Sequence, residues 1–324
     1  MRYICLLLFI LLFSSCSAQE NNALLEKTLV SDLSSTPIYS FLTKEVDGQR
    51  VWKEAYKYMG DIEIYSIVYK SDGLKIKGFM VKPKKEGKFP GIIYNRGGNR
   101  EFGSLIIADA AIGLGRIAKE GYVVVASQYR GNGGSEGKEE FGGADVNDVV
   151  NLTSVLEEIE ATDTDKIGMY GWSRGGMMTY SALTKTDKIK AAVVGGAVSN
   201  SFLTIKNRPQ METKVLAELI PNYEANKEEE LTKRSAIKWV DKFPKDVPIL
   251  MLHGNADWRV KPEQSLSLAM EFEKYRIPYR LIMFEGGDHG IREHRKEVNE
   301  QVIRWFDKYL KKGEPLPNME YHGK

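Results

Sequence analysis

The 324 residues are 42% hydrophobic, which is enough to build one substantial core but not two. Lys and Arg total 46 against 44 Asp and Glu, a formal net charge of +2, so nothing points to nucleic acid or to a polyanion as partner. There is no internal repeat, no low-complexity tract, no phosphate loop and no cluster at metal-ligand spacing, and the reading calls for no cofactor and no metal.

In chain order, the first segment reads as an address. Met1-Arg2-Tyr3 is a short basic start, residues 4–13 are an unbroken apolar run, and Ser14-Ser15-Cys16-Ser17 follows. That pattern is a secretory signal, too short to span a bilayer as a mature helix. A cysteine directly after small residues resembles a bacterial lipoprotein box, although Phe13 stands where leucine is more usual. The resemblance implies a signal over 1–16 and a mature chain acylated at Cys16, tethered to a membrane of the bacterial envelope outside the cytoplasm. Cys5 and Cys16 are the only cysteines, so the mature body has no disulfide available. Residues 17–60 are polar with scattered apolar positions, expected to form a tether and an extension with one or two short packing helices.

Two strands are predicted next, 62–69 and 74–81, joined by the turn Ser71-Asp72-Gly73. Strands at 89–94, 122–128, 166–170, 189–195, 248–252 and 279–284 then alternate with helices around 105–120, 144–161, 174–184, 262–275 and 292–311. This alternation is the signature of an α/β fold with a mostly parallel central sheet and helices on both faces. In the last helix Val298, Val302, Trp305, Phe306 and Leu310 recur at helical spacing and belong to the core. Residues 199–240 break the alternation, and Met211, Leu216, Leu219 and Ile220 suggest a small helical insertion over the site. A tail follows at 313–324.

The chemistry-bearing motif is Gly171-Trp172-Ser173-Arg174-Gly175, directly behind an apolar strand and ahead of a helix. This describes a nucleophile elbow, in which a strained strand-to-helix turn lifts the serine hydroxyl above the sheet. A serine needs a base, and the base needs an orienting carboxylate. Asp257 follows the strand 248–252 and His289 follows the strand 279–284, so both sit past strand ends, where open α/β sheets place their chemistry. Asp257 could instead cap the helix after Pro262, and Asp288 is a rival carboxylate poorly placed beside its own neighbour. His253 reads as structural, while His294 and His322 lie in charged or polar stretches. Gly131-Asn132-Gly133-Gly134 reads as a turn.

The chain resembles the catalytic domain of the prolyl oligopeptidase family of α/β-hydrolases. The likeness rests on stretches that match in order over residues 61–312. These are 71–78, Tyr129-Arg130-Gly131-Asn132-Gly133-Gly134, 168–176, Arg234-Ser235-Ala236, 253–260 and 285–290. It implies a Ser173, His289, Asp257 acyl-enzyme route for an ester or amide. It also implies an oxyanion hole from the N–H of Arg174 and that of Gly98, with Gly97 as the alternative. The family usually carries histidine or tyrosine where this chain has Arg96, so Arg96 is expected either to reach a substrate carboxylate or an acidic wall of the pocket, or to be a surface arginine on a loop. With no room ahead of residue 61 for a β-propeller, the expected substrate is a small ester, such as an acylated carbohydrate. A serine peptidase acting on short peptides is the alternative, and a silent envelope binding protein the third.

Overall fold

The computed structural model describes residues 22–30 and 32–323. Cys16 and the signal therefore lie outside the described residues. Eleven strands are described: β1 (Leu24–Leu29), β2 (Thr43–Val46), β3 (Gln49–Trp52), β4 (Ile62–Ser71), β5 (Leu74–Pro83), β6 (Phe89–Asn95), β7 (Val123–Ser127), β8 (Thr162–Trp172), β9 (Ile189–Gly195), β10 (Ile249–Gly254) and β11 (Tyr279–Phe284). The eight strands from β4 onward fall where the apolar runs predict them. Residues 22–60 differ from the expected tether. They add an edge strand, the hairpin β2–β3 and a short 3-10 helix, Glu54–Gly60, to the one expected kind of element, the helix Ile38–Leu42.

Nine strands form one sheet in the order β1-β4-β5-β7-β6-β8-β9-β10-β11. Pairing is antiparallel from β1 to β7 and parallel from β7 to β11. Helices cover both faces of the parallel part, so β7 and β10 are buried along their whole length, whereas β8 starts with the polar run Thr162-Asp163-Thr164-Asp165-Lys166 and is buried mainly toward its carboxyl end. The two faces carry separate cores. One includes Ile93, Val125, Met169 and Phe272, and the other Ile92, Val124, Trp305 and Phe306. The last helix, Arg295–Phe306, turns Val298, Val302, Trp305 and Phe306 into that second core.

Chain order reverses between β6 and β8. After β6 the chain steps to β7 on one side and then returns to place β8 on the other. Such a switch opens a crevice at the carboxyl ends of the strands, because the two flanking connections leave in opposite directions. The loops after β6, β8, β10 and β11 all end at that edge. The 199–240 insertion is helical (Ser201–Asn207, three short pieces over 209–219, and Tyr223–Lys233) and contributes to the wall of the same crevice.

Candidate active site

Ser173 joins β8 to the helix Arg174–Leu183 with φ 59° and ψ −121°, a conformation that costs a non-glycine residue energy and persists only under close packing. The flanking glycines show what holds it. A Cβ on Gly175 would land on the Asn95 carbonyl oxygen, and one on Gly171 would land on the Gly175 carbonyl. Behind the turn, Ser173 N–H donates to the Gly195 carbonyl at 2.8 Å. The serine thus stands at the N-terminus of a buried ten-residue helix, whose first N–H groups face developing negative charge.

Asp257 and His289 come from the loops after β10 and β11. His289 Nδ1 donates to Asp257 Oδ2 at 2.7 Å, the direction being set by the carboxylate, which only accepts. Asp257 Oδ1 accepts the N–H groups of Arg259 (2.8 Å) and Val260 (3.0 Å), and His253 Nε2 lies 3.4 Å from Oδ2. Burial by itself would raise the Asp257 carboxyl. Donation from His253 and His289 outweighs it and holds the group well below the ordinary carboxylate range. His253 is fully buried between Ser265 Oγ (2.6 Å) and the Val260 carbonyl (2.9 Å), so it is a structural residue that also touches Asp257. Asp288 accepts from Gly290 and Arg292 N–H and closes its own loop rather than serving His289. Among the described residues His294 and His322 bond only to the carbonyls of Glu285 and Glu320.

The loop around His289 is fixed from two sides. Trp172 Nε1 donates to the His289 carbonyl at 2.9 Å, tying it to the end of β8. Ile291, a β-branched residue at φ 46°, is completely buried in the second core, and that packing holds its strained backbone.

The loop after β6 brings Gly97 and Gly98 to the serine. A Cβ on Gly97 would sit 3.2 Å from Ser173 Cβ, and one on Gly98, which has φ 78°, would land on the Phe102 carbonyl oxygen. Among the described residues the N–H groups of Gly97, Gly98 and Arg174 have no backbone acceptor. The side chain of Arg174 locks this loop to the elbow. It is buried, ion-paired to Glu139 and Asp145, and donates to the Gly98 carbonyl at 3.1 Å. Its guanidinium lies over the rings of Phe141 (4.8 Å) and Tyr129 (5.1 Å).

Arg96 requires a correction. It is 1% exposed, and its guanidinium donates to the carbonyls of Gln128, Gly97 and Arg100 while packing 5.0 Å from the Tyr129 centroid. Arg96 is therefore no surface arginine: its guanidinium is committed to main-chain carbonyls and braces the loop at the wall of the cavity.

Ser173, His289, Gly97, Gly98 and Arg174 line one cavity of about 360 Å³, with Phe102, Val198 and Leu216 as apolar wall. The sequence profile described as the prolyl oligopeptidase family matches residues 114–313. This chain belongs to the prolyl oligopeptidase family. It is 30% identical over 251 residues to the uncharacterized peptidase YtmA of Bacillus subtilis, covering 76% of this chain and 93% of that protein. Against dipeptidyl-peptidase 5 of Porphyromonas gingivalis the identity is 25% over 75% of this chain, but only 37% of that protein is spanned. Acylaminoacyl peptidase bound to Z-Gly-Gly-Phe-chloromethyl ketone superposes with a TM-score of 0.67 at 26% identity, over 80% of this chain and 43% of that one. The Pyrococcus horikoshii acylaminoacyl peptidase gives 0.69 at 25%, over 85% and 47%. The chain is thus a serine hydrolase of this family, and it spans under half of dipeptidyl-peptidase 5 and of the two acylaminoacyl peptidases.

For a prolyl oligopeptidase family member, the clamp around Arg174 is what motif reading misses. Glu139 and Asp145 lie 35 and 29 residues before Arg174, in a Gly-rich stretch with no periodicity to mark them. Only the GxSxG pattern pointed at Arg174, and then for its N–H alone.

Proposed function

We propose that this protein cleaves amide bonds of short peptides through an acyl-enzyme at Ser173. Ser173 Oγ attacks the carbonyl while His289 Nε2 takes its proton, and Asp257 on Nδ1 fixes the tautomer and stabilises the imidazolium. The N–H of Arg174, with that of Gly98 or alternatively Gly97, stabilises the oxyanion. His289 then protonates the leaving amine, and water releases the acyl group by the same steps in reverse roles. The observation that carries the proposal is the 2.7 Å His289–Asp257 bond, made by a histidine that lines the same cavity as Ser173. A peptide substrate takes precedence over the expected ester because the relatives named above are peptidases.

The test is a matched anilide and ester of one acyl group, with Ser173→Ala as blank. Anilide turnover that falls by roughly 10⁶ in Ser173→Ala is the expected result. Ester turnover with no anilide turnover would return the esterase reading.

We also propose that the chain is acylated at Cys16 and held to the bacterial envelope. The basic start, apolar run and Ser14-Ser15-Cys16 support this. Mass spectrometry of the membrane fraction should find a diacylated Cys16 at the N-terminus, and an unmodified start further along would refute it.

A further inference from the structure

Arg96 and Arg174 spend their guanidiniums inside the protein, but two other arginines of the cavity do not. Arg208 follows the helix Ser201–Asn207 of the insertion, and Arg259 stands two residues after Asp257; both line the cavity with Ser173 and His289. They share one indole. The Trp258 ring centroid lies 5.3 Å from the Arg208 guanidinium carbon and 5.5 Å from that of Arg259. Arg208 Nη1 donates to the Arg259 carbonyl at 3.3 Å, which holds two like charges together. Among the described residues neither guanidinium has an ion-pair partner, and the buried Nε of Arg208 has no acceptor. Among the described residues the one carboxylate lining the cavity is Asp109, whose Oδ2 accepts the Ile106 N–H. Two cations without an ion-pair partner, both against one indole and beside a nucleophile, form a site that lacks its anion.

We propose that Arg208 and Arg259 bind a carboxylate of the substrate, so that the peptides cleaved are acidic where they enter this cavity. The inference rests on the acyl-transfer reading of Ser173. That carboxylate has two sources: an acidic group on the acyl side, or the C-terminal carboxylate of a short peptide on the leaving side.

The experiment measures kcat/KM within three matched pairs. Succinyl-Ala-Ala-4-nitroanilide against its acetyl analogue tests the acyl side. A tripeptide against its C-terminal amide tests the leaving side. Mono-4-nitrophenyl succinate against 4-nitrophenyl butyrate repeats the acyl-side comparison on an ester. Wild type should favour the carboxylate in at least one pair by about 10- to 100-fold, the worth of a charge-assisted pair of hydrogen bonds. The ratio should collapse toward one in Arg208→Gln and in Arg259→Gln, the latter altering an exposed residue. Arg208→Glu should invert it toward an ammonium-bearing analogue, which loss of packing alone would not do. Equal rates within every pair, or a preference that survives both Gln substitutions, would overturn the proposal. Silence on both amide pairs with a carboxylate preference on the ester would sink the peptidase reading and leave the arginine site standing.

Discussion

At the residue scale, the decisive group is Asp257, because one carboxylate answers two histidines and two N–H groups. Its carboxyl is held below the value of about 3.9 that it has in the unfolded chain. A depressed carboxyl contributes stability that is fully present above about pH 5 and is lost as pH falls through the folded value. Asp257→Asn should therefore lower unfolding free energy by a constant amount at neutral pH. The gap to wild type should narrow below about pH 4, as read from denaturant titrations at several pH values. The same substitution should cut kcat by about 10⁴, because an amide can hold the wrong imidazole tautomer. Ser173, Asp257 and His289 were legible as a set because each follows an apolar strand directly and the chain order is right. Arg96 was misread for the opposite reason: loop composition says nothing about whether the loop is covered. Here Tyr129, Gln128 and Arg100 cover it.

At the element scale, the strand-to-helix turn after β8 is set by backbone approach rather than by side-chain attraction. Gly175→Ala would place a methyl group on the Asn95 carbonyl, a backbone atom that cannot yield, and should cost about 3 kcal/mol or more with loss of activity. Gly113 is the control. It is exposed within the helical segment Asp109–Leu114 and has open space around its Cα, so Gly113→Ala should stabilise by about 0.5–1 kcal/mol with kcat/KM intact. Melting curves of the two variants separate these effects. Arg174 joins two loops across the switch between β6 and β8. Arg174→Met would leave Glu139 and Asp145 buried and unpaired, costing about 3–5 kcal/mol. Arg174→Lys should rescue this only in part, since one ammonium cannot present the two-sided fork that meets both carboxylates. Thermal unfolding of the pair of variants is the check.

At the scale of the whole molecule, residues 22–60 finish the sheet. Leu25 to Leu29 are exposed, so β1 buries little apolar surface, yet it covers the edge of β4 over a register running from Leu24 opposite Tyr69 to Leu29 opposite Tyr65. Removing residues up to 30 should bare that edge and cause concentration-dependent association, visible by light scattering, while kcat/KM per folded monomer stays within about twofold. The sequence alone determined the α/β-hydrolase architecture and the eight sheet strands from β4 onward, and it singled out Ser173, Asp257 and His289 as candidates, of which the structure joins His289 to Asp257 and sets Ser173 and His289 on one cavity. These are written in local signals: apolar runs, glycine spacing and residues just past strand ends. The N-terminal edge strand was invisible, since its largely exposed residues carry no periodicity strong enough to outweigh a polar context. The Arg174 clamp, the His253 contact to Asp257 and the unpaired Arg208–Arg259 couple were decided only by the tertiary structure. A charge acquires its meaning from partners brought beside it across the fold, and no spacing within the chain encodes whether such a partner arrives.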